Sequence, residues 1–190
     1  MPHLISRMAK SHPEWLVTDQ RGAFAMGSRE ISRERKYHGF YATIAGRGET
    51  LHWADMEISC NGLGLWPHCY SSAVGPVLHP DPSRNGVAPQ FELTRAGPCW
   101  RWALSDGLLA FRVEARKPGG IALVWKWRPH GASAKLPMQL VVKPLLAMRP
   151  LHGVGGQTWT HAPIEGTPGL ARITAASGQT LFWRTSGPMA

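Results

Sequence analysis

Between residues 99 and 127 the chain alternates apolar and polar side chains with a period of two. Successive side chains on a strand point to opposite faces, so this rhythm builds a half-buried sheet and cannot place one stripe on a helix. Leu109, Phe111, Val113 and Ala115 alternate with Ala110, Arg112, Glu114 and Arg116. Ile121, Leu123, Trp125 and Trp127 repeat the pattern against Lys126 and Arg128. Between the two runs, Lys117-Pro118-Gly119-Gly120 reads as a hairpin connection. Just upstream, Trp100, Trp102 and Leu104 alternate with Arg101, and Ser105-Asp106-Gly107 makes the turn. The spacing predicts a three-stranded antiparallel meander.

Further strands are expected at 39–45, 50–60, 90–95, 138–143, 157–161, 170–175 and 180–185. The 21 Gly and 16 Pro cut the chain into short segments, which suits strands joined by turns. The stretch from Trp66 to Pro89 is rich in Pro, Gly, Ser and Asn and is expected to be a long surface loop. Arg29–Lys36 has room for a turn or two of helix, but it has no apolar stripe. These patterns imply an all-β fold class with little helix, a sandwich of two antiparallel sheets. One domain over residues 13–190 is expected, preceded by a flexible N-terminal segment at 1–12.

Charged residues are 17% of the chain, yet the net charge is +9. The bases are scattered, and the densest stretch, Arg29–Lys36, also holds Glu30 and Glu34. This favours a solvated surface over a nucleic-acid footprint. Met1–Lys10 has no apolar core of a signal peptide, and no stretch approaches a bilayer span. With three cysteines, an odd number, the expectation is a cytoplasmic protein with reduced thiols and no membrane partner. Cys60, His68 and Cys69 are close in sequence, but no CxxC or HExxH spacing occurs, so no metal or other cofactor is expected.

The run from Glu14 to Ser28, Glu-Trp-Leu-Val-Thr-Asp-Gln-Arg-Gly-Ala-Phe-Ala-Met-Gly-Ser, resembles the opening signature of bacterial and archaeal glycogen debranching enzymes. Arg35-Lys36-Tyr37-His38-Gly39-Phe40-Tyr41 is similar to a second motif of that family. Lys143-Pro144-Leu145-Leu146-Ala147-Met148-Arg149, with His152 close behind, is similar to a third. Order and spacing agree over most of residues 14–185. The departures lie at Asp19-Gln20-Arg21-Gly22-Ala23, where family glycines are replaced, and at Pro150-Leu151. Lost glycines change which positions can take φ > 0, so the turn at 19–23 is the place where local shape should differ.

The resemblance implies the N-terminal β-sandwich of a debranching (amylo-alpha-1,6-glucosidase) system, of the supersandwich, galactose-mutarotase-like kind. It implies a non-catalytic part that packs on a separate helical catalytic toroid, domain or subunit, and helps bind branched α-glucan. Glycogen or maltooligosaccharide is then the partner. Trp15 and Tyr37 offer aromatic faces for pyranose rings, and Arg35, His38 and Arg149 offer donors for hydroxyls. Large aromatics are mostly buried, which favours Trp15 and Tyr37 as core anchors. Arg35 and Arg149 are favoured, in the same way, to satisfy backbone carbonyls or to pair with Glu14 or Asp55.

Glycoside hydrolysis needs two carboxyl groups facing one bond. Asp55 and Glu57, two apart on a strand and roughly 7 Å from each other, are the nearest approach to such a pair, and a solvated or arginine-paired face explains them as well. No catalytic residue is assigned. A rival expectation is a free-standing binding or scaffold protein that kept the fold and lost the carbohydrate role.

Overall fold

A computed structural model describes residues 14–29, 35–45, 48–66, 68–72, 75–79, 87–117, 119–131, 137–153, 158–165, 167 and 169–185. Its framework is two facing antiparallel sheets. The larger contains β1 (Glu14–Thr18), β2 (Ala23–Ser28), β3 (Gly39–Ala45), β4 (Gly48–Cys60) and β12 (Leu140–Pro150) in that spatial order, with β5 (Leu63–Trp66) also paired to β4. The second sheet contains β8 (Gln90–Thr94), β9 (Gly97–Leu104), β10 (Gly107–Ala115) and β11 (Ile121–Pro129), in sequential order. Its last three strands are the meander that the alternation predicts.

The other β elements are smaller. The hairpin β6 (His68–Ser72) and β7 (Gly75–His79) corrects the expectation of an irregular loop over these strands, while residues 80–86 of the same stretch lie outside the described residues. Turn-forming residues at the ends of a hairpin hid two short paired strands. A three-stranded sheet is made by β13 (Trp159–Pro163), β14 (Leu170–Ala175) and β15 (Thr180–Arg184). Gln179 Nε2 donates to Thr50 Oγ1 at 3.1 Å and ties it to β4. The expected flexible segment at 1–12 and most of the helical turn expected over 29–36 lie outside the described residues.

The main core fills the space between the two large sheets. Phe91, Trp100, Phe111 and Trp125 are cross-strand partners on four adjacent strands, so register alone lines them up in one row. Trp100 stacks on Phe111 at 5.4 Å, and Phe111 on Trp125 at 5.0 Å. The larger sheet answers with Trp15, Phe40, Trp53 and Trp66. Trp66 meets Trp100 edge-on at 5.0 Å, and Trp15 does so at 5.6 Å. Edge-on and offset contacts of this kind add to simple burial.

The larger sheet also has a second, smaller core on its outer face: Ala42, Leu51, Ala54, Ala147 and Leu151, with Phe24 and Tyr37 against it. Bulges explain how one sheet buries both sides. Register shifts occur between β2 and β3, β3 and β4, and β4 and β12, around Phe24–Met26, Tyr41–Ala42 and Leu145–Arg149. Each extra residue reverses the facing of the strand beyond it. Met148 takes a left-handed φ of 46° within the last of these shifts.

Polar bonds pin the ends of the sandwich. Asp19 Oδ2 accepts from the Gly120 amide at 2.7 Å, joining the β1–β2 turn to the β10–β11 hairpin. Asn61 Nδ2 donates to Asp106 Oδ2 at 3.3 Å, joining the β4–β5 and β9–β10 turns.

Phe111 is fully buried and touches both sheets' aromatics. Phe111→Ala should therefore lower the unfolding free energy by about 3–5 kcal/mol, read as a drop in the urea midpoint at unchanged slope.

Candidate functional site

The three signature segments are far apart in sequence but meet at the outer face of the larger sheet, where Tyr37, Ala147 and Leu151 share the smaller core. Glu14 opens β1, residues 35–38 lead into β3, and Arg149 to His152 close β12. The buried Arg149 is the joint. Its Nη2 donates to the Lys36 carbonyl at 2.8 Å, and its Nη1 donates to the carbonyls of Leu151 at 2.9 Å and Pro150 at 3.0 Å. One guanidinium thus holds the turn before β3 against the turn after β12, which suits its fixed fork of donors.

Glu14 ties the first segment to the second. Its carboxylate accepts from Arg35 Nε and, through Oε1, from His38 Nε2 at 3.2 Å. An ionised carboxylate only accepts, so the ring nitrogen facing it carries the proton. The hydrogen bond from Arg35 is the largest influence and holds the Glu14 carboxyl below its ordinary value; burial opposes it, and the weaker hydrogen bond from His38 adds to the lowering. Glu14 therefore stays charged at neutral pH and is suited to accepting hydroxyl protons, not to donating one.

Tyr37 sits at the middle of the cluster, half-buried over the outer core. The Arg35 guanidinium carbon lies 6.0 Å from its ring centre, and the His38 and His152 rings meet it edge-on at 5.4 and 6.1 Å. His152 Nε2 lies 3.4 Å from Glu49 Oε2. The Leu151 amide donates to the Glu49 carbonyl at 3.0 Å, which fixes the turn that carries His152.

The five residues singled out from sequence thus fall into two groups. Arg35 has an exposed side chain and Tyr37 is half-exposed at the surface. Trp15, His38 and Arg149 are buried. The Trp15 indole lies in the main core and donates from Nε1 to the Ser28 carbonyl at 2.9 Å. A Cβ on Gly27 would come within 2.8 Å of that ring, so the glycine of the first motif makes room for the indole. Sequence reasoning named Glu14 and Glu49 in no ligand role, and it noted His152 only as an echo. Their signal is spatial: each pairs with a residue tens of positions away.

The altered turn at 19–23 closes by different means. Gln20 takes φ 66° without being glycine, and Gly22 takes φ 93°. Asp19 Oδ1 accepts from the amides of Arg21 at 2.7 Å and Ala23 at 2.9 Å, the self-bonding that lets Asp nucleate a turn. Asp55 and Glu57 do not form a reacting pair. Asp55 is buried and its Oδ1 accepts from the Met56 amide at 2.9 Å and the Trp66 indole at 3.3 Å. Glu57 pairs with Lys143 at 2.9 Å.

A family model described as glycogen debranching enzyme, N terminal, matches residues 13–187. Comparisons with curated proteins and with solved structures found no match.

This geometry has two measurable consequences. Arg149→Met leaves three carbonyls without their donor and should cost at least about 2 kcal/mol, measured by urea denaturation. A carboxyl held low in the folded state stabilises above its unfolded value and loses that contribution as pH falls. Stability of the wild type should therefore fall as pH drops below the ordinary glutamate value of 4.5, and Glu14→Gln should show a shallower fall in the same titration.

Proposed function

The chain belongs to the glycogen debranching enzyme N-terminal family, and from that premise we propose that it is a non-catalytic β-sandwich of a debranching system, packing on a separate catalytic domain and helping to hold branched α-glucan. The observation that carries this reading is the convergence of all three signature segments on one surface cluster. That cluster presents a half-buried ring, Tyr37, flanked by Arg35, His152, Glu49 and Glu14.

Its chemistry suits a neutral sugar. The C–H face of a pyranose packs against an aromatic surface, and guanidinium, imidazole and carboxylate groups bond to hydroxyls in fixed directions. Trp15, His38 and Arg149 act as positioning side chains. They hold the strand end and the two turns from which Tyr37 and His152 project. The charged groups here are held in pairs, and Glu14 is kept ionised, which fits binding better than proton donation.

Affinity electrophoresis in gels containing glycogen tests the reading. The wild type should be retarded, and Tyr37→Ala and Arg35→Ala should each weaken retention about tenfold. A wild-type chain that migrates freely and also forms no complex with a glucosidase chain would end the proposal.

A further inference from the structure

We propose that the open outer face of β1, β2 and β3, centred on Leu16, Phe24, Met26 and Ile44, is where the catalytic glucosidase domain docks, through an acidic surface of that domain. The inference rests on the proposed function, in which this chain works beside a catalytic partner.

Register assigns the face. Trp15 and Val17 lie in the main core, so Leu16 points the other way. Leu16 is the cross-strand partner of Met26, and Phe24 is the partner of Ala42. Ala42 belongs to the outer core, and Ile44 comes two residues later on the same side. These four side chains therefore form a slanting stripe across three adjacent strands.

The outer face is unequally covered. Towards β4 and β12, Leu51 and Ala42 are buried beneath Phe24, Tyr37 and Leu151. Towards β1 and β3, Leu16 is 57% exposed and Ile44 is 56% exposed. A strand that sends one side into a core is expected to show water a polar opposite side. Here the opposite side carries aliphatic residues instead, and contiguous exposed apolar surface marks an interaction site.

Surrounding residues define the occupant. Leu16, Met26 and Ile44 offer no hydroxyl-directed bonds and Phe24 is packed against the outer core, so the stripe fits a protein and not a glucan. Glu14 stands two residues from Leu16, and Glu49 faces Ile44 across the strand pair. Exposed Arg29 follows β2 and exposed Arg35 and Lys36 precede β3, at the Glu14 end of the stripe. An apolar centre with a polar rim is the anatomy of a protein interface. The chain's net charge of +9 opposes a second copy of itself and favours an acidic partner surface. The face is also continuous with the Tyr37 cluster through Glu14 and Phe24, so a partner seated here would meet the same glucan that the cluster holds.

The test mixes the full chain with the separately expressed glucosidase chain of the debranching system from the same cell. Association is followed by sedimentation velocity at low and at physiological salt. An equimolar complex that weakens with salt is expected. Replacing Leu16 and Ile44 together by Lys should weaken it at least about a hundredfold. Lys at Leu93 and Phe182, exposed apolar positions on other sheets, should leave it intact. Hydrogen exchange of the wild-type complex gives a second readout that does not depend on how the doubly substituted chain folds, with new protection expected over 14–18 and 42–45. A complex indifferent to the Leu16 and Ile44 changes, with protection elsewhere, overturns the face and leaves the catalytic partner standing. Self-association through this face overturns the choice of occupant. No complex at all overturns both this inference and the partner half of the proposed function, while glycogen retention is judged separately.

Discussion

The contact between the aromatic row of one sheet and the tryptophans of the other governs this fold. Phe91, Trp100, Phe111 and Trp125 can form a row only if four strands pair in one register, because a one-residue slip would send the whole set to solvent. A buried indole gains from a partner for its N–H donor. Trp15 meets the Ser28 carbonyl, Trp53 the Asp55 carbonyl, Trp66 the Asp55 carboxylate and Trp100 the Arg29 carbonyl. These rings therefore orient as well as fill. Trp15 and Trp100, from opposite sheets, both hold the chain at the end of β2, and Asp55 fixes two tryptophans at the bulged middle of β4.

That middle region links packing to the surface cluster. Without the bulges, a regular larger sheet would bury one face and wet the other. The shifts between neighbouring strands bring Ala42, Leu51 and Ala147 to the outer side. An outer core exists there for Tyr37 to rest on, and Arg149, opposite Leu51, is placed to reach both turns. Strain at Met148 and the arginine's three carbonyl bonds belong to the same arrangement. The cluster is thus a product of irregular pairing, held on elements that the main core makes rigid.

These causes decide what could be read from the residues alone. The meander at 99–127 was legible because alternation is a local signal and its strands are regular. The first two strands were recognisable as a family motif but carry weaker periodicity, since β2 is apolar on both sides. The bulges leave no local trace, so neither the outer core nor the length of β12 could be read from the residues. Arg35, Tyr37 and Arg149 could be named as candidates from their motifs. Their division into exposed and buried groups could not, because it depends on pairings such as Glu14 with His38 and Arg149 with Lys36.

The acids show how the structure divides labour. A glycosidase acid must hold its proton near neutral pH, which requires burial away from cations or a neighbouring negative charge. Glu14 and Asp19 have the opposite environment. Arg35 keeps Glu14 ionised, and at Asp19 burial, the largest single influence, is outweighed by the backbone amides of Arg21, Gly120 and Ala23 together with the Arg21 charge. Asp55 accepts two hydrogen bonds in the core, and Glu57, Glu92 and Glu114 are paired with Lys143, Arg101 and Arg112. In each case the carboxylate's task is to accept: the Glu57 and Glu92 pairs cross between neighbouring strands, whereas Glu114 pairs within and just beyond its own strand. The positive excess follows from composition, 12 acids against 21 lysines and arginines, and since each ion pair removes one charge of either sign, the surplus bases remain to favour a neutral or acidic partner.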